Sequence, residues 1–264
     1  MVMTSGSAKA AGEWWGRRAD DWARFQEATA MPLYEAALAR LPIGPGHRLL
    51  DVACGAGLFC QIAARTGASV EGIDASGPLV EIARRRTPGG RFFVNQMEDL
   101  PFEDASFDIV TGFNAFQYAE DPRRALAEAA RVVPPGGSVF IAVWGDPNDC
   151  EALAYTSAVG SLMPPSDPGS PGPLSLNDPD ALRATARQAG LEPGEIEEVD
   201  MPFVYPDLES AVRGVLSAGP AARAINFSGE RRVRAAVVEA LTPFRLSTGG
   251  YRIENRFRYL IAGV

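Results

Sequence analysis

The residues with the clearest chemical potential are Leu49-Leu50-Asp51-Val52-Ala53-Cys54-Gly55-Ala56-Gly57. A short apolar run passes through an acid into a loop of small residues that opens a helix. Glycine lets such a loop turn tightly and lets its backbone approach a ligand. A second run, Val70-Glu71-Gly72-Ile73-Asp74, also ends in an acid. Asp51 and Asp74 lie 23 positions apart, near the spacing between a nucleotide-binding loop and a carboxylate that holds a ribose.

Two cofactor classes use this geometry. A dinucleotide sets a pyrophosphate on the loop, which requires N–H donors and no nearby anion. Asp51 opposes that use, and the third glycine of a G-x-G-x-x-G run counted from Gly55 is Cys60. S-adenosylmethionine (SAM) has no phosphate; it has an α-ammonium group, a sulfonium and a ribose diol. Asp51 can attract the ammonium, directly or through water, and Asp74 can accept from two ribose hydroxyls. Charge therefore favours SAM. Asp74 as a cap of the next helix is the competing structural role.

Further markers follow in order: Gln96-Met97-Glu98-Asp99-Leu100-Pro101-Phe102, then Ser106-Phe107-Asp108, then Arg131-Val132-Val133-Pro134-Pro135-Gly136-Gly137. With these, residues 44–144 resemble the class I SAM-dependent methyltransferases of the type that includes the ubiquinone- and menaquinone-biosynthesis methyltransferases. The resemblance implies a doubly wound α/β fold whose seven-stranded sheet is mostly parallel, Rossmann-like, with an antiparallel seventh strand. It implies SAM as cofactor and S-adenosylhomocysteine as its product. It places cofactor contacts at Asp51, Ala53, Gly55, Gly57, Asp74, Ala75, Gln96, Met97, Glu98 and Asn114. Gly55 and Gly57 would line the methionine part, Asp74 would hold the ribose, and Gln96 and Met97 would flank the adenine. The family more often has Asp-Ala at that last pair. Asn114 would line the transfer chamber, with Tyr118 and Trp144 as further candidates; no catalytic base is assigned.

The elements that must position these residues are legible as alternating strands and helices. Strands are expected at 48–53, 69–73, 91–94, 107–112 and 138–144, with helices at 57–66, 78–86 and 122–133. Ser76 opens one helix; Asp121 caps another, with Pro122 at its first position. Such alternation means βαβ units and a parallel sheet. Residues 1–43 read as a tail, disordered to about residue 12, plus a helical cap whose Trp15 and Trp22 staple it to the domain, or, in the sharper reading, lid the SAM pocket with one indole. Residues 44–264 read as the SAM-binding domain, with lid insertions at about 145–178 and 203–250. Helices are expected near 151–162, 180–189, 208–216 and 230–241, and a strand at 195–204. From Ile253 to Ile261 apolar and charged residues alternate, which predicts a half-exposed antiparallel strand with Arg252, Arg256 and Arg258 on a solvated face.

Composition sets bounds on function. The 264 residues carry 33 acidic and 25 basic side chains, a net charge of -8, which disfavours binding to nucleic acid. One basic residue is Lys9 and the rest are arginines, a codon-usage signature more than arginine chemistry. The only histidine, His47, precedes the first strand and so lies at the wrong end of the sheet for catalysis. A histidine base and a histidine–carboxylate metal site are thereby disfavoured, and no metal is expected. Asn114-Ala115-Phe116-Gln117 lacks the Asn/Asp-Pro-Pro-Tyr pattern of enzymes that methylate adenine or glutamine amides. Three cysteines without a CxxC pair, no signal-peptide core and no long apolar run read as a cytoplasmic protein without a membrane span.

The expected activity is methyl transfer to a small, apolar acceptor. A SAM-binding protein of the same fold that does not methylate, as a cyclase or regulator, is the alternative. A nicotinamide-dependent oxidoreductase stands third.

Overall fold

The computed structural model describes residues 5–165 and 176–264, without the side chains of residues 5–8. Unbroken apolar runs make the central strands. Leu49, Leu50 and Val52 of β1 (Arg48–Val52) are all buried, so both faces of the strand are covered. The following strands are β2 (Ser69–Asp74), β3 (Arg91–Val94), β4 (Ile109–Phe113), β5 (Ser138–Trp144), β6 (Glu192–Asp200), β7 (Phe203–Tyr205), β8 (Tyr251–Ile253) and β9 (Arg256–Gly263). Seven of them form one sheet in the order β3-β2-β1-β4-β5-β9-β6, and β7 pairs with β8 in a separate ribbon. The strands from β3 to β5 are parallel, while β9 runs antiparallel to both β5 and β6. Chain order reverses outward from β1 and β4, so their carboxyl ends frame the switch point where ligands of such sheets bind.

Side chains alternate between two cores. Leu49 and Phe140 join one; Leu50, Val139 and Ile141 join the other, with Leu126 and Leu182. Helices α1 (Ser5–Gly16), α2 (Ala19–Asp21) and α3 (Met31–Arg40) precede the sheet, and α4 (Leu58–Arg65), α5 (Gly77–Arg86) and α6 (Pro122–Arg131) connect its strands. Beyond β5 come α7 (Leu153–Gly160), α8 (Pro179–Gln188), α9 (Leu208–Ser217), α10 (Gly219–Ser228) and α11 (Glu230–Leu241). The caps follow the sequence: Ser76 Oγ accepts from Leu79 N at 3.4 Å, and Asp121 Oδ1 from Arg124 N at 3.0 Å. No helix among the described residues is long and apolar enough to cross a membrane.

Four expectations need correction. The stretch read as disordered to residue 12 is helical from Ser5. The expected strand at 195–204 breaks before β7, where Pro202 has no N–H to donate and Met201 N turns to Asn255 O at 2.7 Å. Helix α10 was not expected, because its moderately apolar sequence follows α9 with only Ala218 between them. Strand β9 is covered on both faces, since β6 pairs outside it and both cores reach it through Tyr259 and Leu260. Arg258 is accordingly buried, bonded to Glu198 and to Asn177 O, whereas Arg252 and Arg256 do form surface ion pairs. Residues 166–175 of the first expected lid lie outside the described residues.

Helix α1 lies directly on the turn after β2. A Cβ added at Gly12 would overlap Ala75 O, and one at Gly16 would lie 2.8 Å from Ser76 Oγ. Gly12→Ala should therefore lift α1 from that turn and leave the sheet intact. Hydrogen exchange is expected to accelerate in residues 9–26 while the amides of β1, β4 and β5 keep their protection; uniform loss of protection would contradict this placement.

Candidate active site

Between β1 and α4 the backbone enters the left-handed region at Ala53 (φ 56°), Gly55 (φ 56°) and Gly57 (φ 78°). Gly57 is needed twice over, because a Cβ there would lie 2.6 Å from Ala83 Cβ on α5. Gly55 faces the N-terminal segment: its Cβ would lie 3.3 Å from Trp22 Nε1 and 3.5 Å from Glu27 Oε1. The loop is tied from several sides. Gly55 N donates to Asp74 Oδ2 at 2.9 Å, Gly57 N to Cys54 O at 2.9 Å, and Leu58 N to Glu27 Oε1 at 3.2 Å.

Three buried or half-buried carboxylates surround this loop. Asp51 is 3% exposed and lies beneath it, accepting from Thr111 Oγ1 at 2.7 Å beside the Cys60 thiol. Burial pushes its pKa up to about 7 against those hydrogen bonds. Asp74 accepts from Gly55 N on one oxygen and from Ser76 N, at 2.8 Å, on the other. Burial raises its pKa too, opposed by those two backbone bonds. The helix cap is Ser76, so Asp74 is not the cap of α5. A carboxylate offers about four acceptor positions, so Asp74 can accept further donors. Glu27 is the third acid; desolvation raises its pKa, although Arg86 pairs with it.

On the adenine side of the pattern, the segment after β3 is anchored to α6. Arg131 donates to Leu100 O at 3.0 Å and Phe102 O at 2.8 Å, and Glu128 accepts from Leu100 N at 2.8 Å. Arg124 Nε donates to Glu98 O at 2.9 Å, and Glu98 Oε1 accepts from Glu120 N at 2.7 Å. The Glu98 carboxylate thus braces its own segment. Gln96 N donates to Asn95 Oδ1 at 2.9 Å, and Gln96 and Met97 are half-buried.

Asn114, just past β4, has φ 53° and accepts from the Gln117 side chain. Its amide and the Trp144 indole lie beside the Tyr118 hydroxyl, whose pKa burial nevertheless raises. Tyr118 also meets Trp15 edge-on at 5.7 Å, and Trp15 meets Trp22 at 5.1 Å. The structure therefore brings Asn114, Tyr118 and Trp144 together and sets the N-terminal indoles against them. Ala53 and Ala75 lie half-buried at the ends of β1 and β2.

Sequence reasoning missed Glu27 and Arg86. Arg86 Nη1 donates to Glu27 and to Ala56 O at 3.0 Å, and Nη2 to Ala23 O at 3.0 Å. Nothing local marks either residue, because they lie 59 positions apart. It also missed Tyr155 and Tyr205; both are buried, and Tyr205 donates to Gln26 Oε1 at 2.7 Å. Two surface clefts, of about 470 and 370 Å³, are lined in part by Tyr205 and by Val70 and Arg86, respectively, and by neither Asp51 nor Asp74. Among the described residues no group of three His, Cys, Asp or Glu side chains is placed to hold a metal ion.

A sheet of this order, with a glycine loop after β1 and an acid closing β2, is the architecture of the class I SAM-dependent methyltransferases. Residues 50–141 match the family described as Methyltransferase domain, and this part of the chain is a methyltransferase domain of that class. SAM is the methyl donor of the class. The chain is 38% identical over 103 residues to a demethylmenaquinone methyltransferase of Renibacterium salmoninarum, covering 39% of this chain and 44% of that one. It is 34% identical over 154 residues to a ubiquinone biosynthesis O-methyltransferase of Xanthomonas axonopodis, covering 56% of this chain and 63% of that one. The chain thus spans about half the length of the curated relatives it matches. Among solved structures, a chain of the Haloferax volcanii complex containing the Trm112 methyltransferase activator superposes with a TM-score of 0.60. Identity is 22%, and 94% of this chain and 96% of that one are covered, which shows the shared fold.

The residues fit such a cofactor. Acids rather than phosphate-binding donors surround the loop, and the buried Trp22 Nε1 beside Gly55 has no partner.

Asp74→Asn puts an amide nitrogen against the N–H of Gly55 or Ser76. We expect a stability loss of about 1–3 kcal/mol in denaturant titrations and at least a tenfold weaker binding of S-adenosylhomocysteine by calorimetry. For Asp51, folding raises the pKa from 3.8 to about 7. The native state then binds more protons than the unfolded chain between those values, so stability falls as pH rises from 4 to 7 and levels off above. Asp51→Asn keeps the acceptor for Thr111 and should remove up to about 4 kcal/mol of that fall. Urea titrations of both proteins at pH 5 and 8 measure the difference.

Proposed function

We propose that this chain transfers a methyl group from SAM to a small apolar acceptor of quinol or phenol character. The observation that carries this reading is the aromatic wall beyond the strand ends. Trp144 packs on Phe257 at 4.3 Å and Phe203 at 6.2 Å, and the same core holds Tyr155 of α7 and Tyr205 of β7 with residues of α9. Asn114, Tyr118, Gln26 and the tyrosine hydroxyls supply uncharged polar groups on this side, and Arg24 lines the cleft beside Tyr205. Such a lining suits a flat apolar molecule carrying one or two oxygens.

The cofactor supplies an activated methyl group on a sulfonium. The chain has to orient the acceptor and exclude water. Trp15, Trp22 and Tyr118 provide the exclusion, since their edge-on contacts cover the space between the loop and β4. Tyr118 stays protonated because burial raises its pKa, so it acts as a hydrogen-bonding group and not as a base. His47 leads into β1 at the opposite end of the sheet. An acceptor that is already acidic, or a carbon activated by a phenolate, is the chemistry left to such a site. The names of the two curated relatives, a demethylmenaquinone methyltransferase and a ubiquinone biosynthesis O-methyltransferase, support the same class.

The test has two stages. S-adenosylhomocysteine at ~100 times its dissociation constant should stabilise the protein by about 2.7 kcal/mol, read by chemical denaturation. SAM labelled in the methyl group, incubated with a panel of demethylated quinols, catechols and simple phenols, should then yield a labelled organic-soluble product. Binding without labelling of any small molecule, or a product isomeric with its substrate, would overturn the assignment.

A further inference from the structure

We propose that Trp22 reads the amino-acid end of the cofactor: its indole N–H is the donor for the carboxylate of the methionine part. This inference rests on the SAM reading above and adds a binding residue that the motifs do not contain.

The argument begins with an orphan. Trp22 Nε1 is buried and has no hydrogen-bond partner. A buried N–H without an acceptor is costly. The atom lies 3.3 Å from where a Cβ on Gly55 would be, so it faces the open side of the one glycine that the loop turns toward the N-terminal segment. Among the described residues, the other buried polar side-chain atoms without partners are on His47, Thr87, Gln117 and Arg258. None of those residues belongs to the segment that covers this loop, and Gln117 contributes an acceptor.

Four backbone donors of the loop are already taken. Cys54 N serves Ile73 O, Gly55 N serves Asp74, Gly57 N serves Cys54 O, and Leu58 N serves Glu27. The nearest cation, Arg86, is paired with Glu27 and with two backbone carbonyls. A zwitterion entering here meets Asp51, Asp74 and Glu27 on its cationic side. Its anionic side needs a donor that these acids have not claimed, and the Trp22 indole N–H faces the loop with no partner.

Local structure sets the indole there deliberately. Residues Trp22–Gln26 form a π-helical turn, closed by Glu27 N donating to Trp22 O. The wider turn brings positions 22 and 27 round to the same side, so that both reach Gly55. Glu27 is fixed by Leu58 N and Arg86, and it thereby fixes the turn that aims Trp22.

The experiment compares two ligands that differ only in the part recognised. S-adenosylhomocysteine carries the α-amino carboxylate; 5′-methylthioadenosine lacks it and keeps the ribose and adenine. Calorimetry on the wild-type chain and on Trp22→Phe should show about a ten- to hundredfold loss for S-adenosylhomocysteine, with 5′-methylthioadenosine unchanged. Equal losses for both ligands, or none for either, would overturn the proposal. Wild-type protein that binds neither ligand would overturn the SAM reading itself, which is a separate result. Should the Phe variant not fold, the wild-type chain still decides. Its Trp22 indole resonance, assigned by through-bond correlation in a ¹⁵N spectrum, should move downfield with S-adenosylhomocysteine and stay in place with 5′-methylthioadenosine; the same shift with both would refute the contact.

Discussion

The buried ion pair of Glu27 and Arg86 joins parts of the chain that have no sequence relation. Glu27 belongs to the N-terminal segment, Arg86 ends α5, and between them they bind Leu58 N and Ala56 O at the start of α4. Helix α4 begins with Gly57 at its cap position, which has no side chain to satisfy the first N–H groups. Glu27 serves as that cap from 31 residues away. A buried pair of this kind is costly to break, by about 3–5 kcal/mol, because the survivor remains charged and unpaired. The glycine loop, the N-terminal cover and α5 are therefore held as one unit. The glycine loop and Trp22, which are proposed to face the cofactor, depend on it.

The electrostatics of the site follow from the same arrangement. Asp51, Asp74 and Glu27 are each pushed toward higher pKa by burial, and one guanidinium compensates Glu27. The field at the loop is negative, which suits a ligand with ammonium and sulfonium charges and repels a pyrophosphate. Asp51 and Asp74 differ in how they contribute. Asp51 lies under the loop, bonded to Thr111 on the neighbouring strand. Asp74 binds the loop backbone itself, so its geometry and its charge are coupled.

Beyond the loop, two different parts of the chain close the space over the strand ends. The indoles of Trp15 and Trp22 come from the N-terminus, and Trp15 also packs against Gly219 of α10, whose Cβ would lie 2.7 Å from its nitrogen. The aromatic wall around Trp144 comes from β5, β7 and β9. The residues proposed to bind the cofactor lie in the first half of the chain, most of them within the part that matches the methyltransferase domain family. The lining that would select an acceptor comes mostly from the second half. The curated relatives are matched over about half of their own length, which is consistent with a common cofactor core and a divergent roof.

The sequence by itself determined the βαβ frame. Strands β3 and β5 and helix α11 have the bounds their patterns predict, and the caps at Ser76 and Asp121 are the residues expected. These features are local: apolar periodicity, a proline at the first turn, a glycine where φ is positive. Tertiary structure decided what depends on residues distant in sequence. Arg258 sits on a pattern that alternates like an exposed strand, yet it is buried, because β6 returns to cover that edge. Asp74 could have capped a helix as far as its neighbours show; the bond from Gly55 gives it to the loop instead. In sequence Glu27 looks like an ordinary residue of an amphipathic segment, and Trp22 like a staple of that segment or a lid on the pocket. Only folding against Gly55 turns one into a remote helix cap and leaves the other with a buried donor facing the loop, because a partner supplied by another element leaves no trace in local spacing.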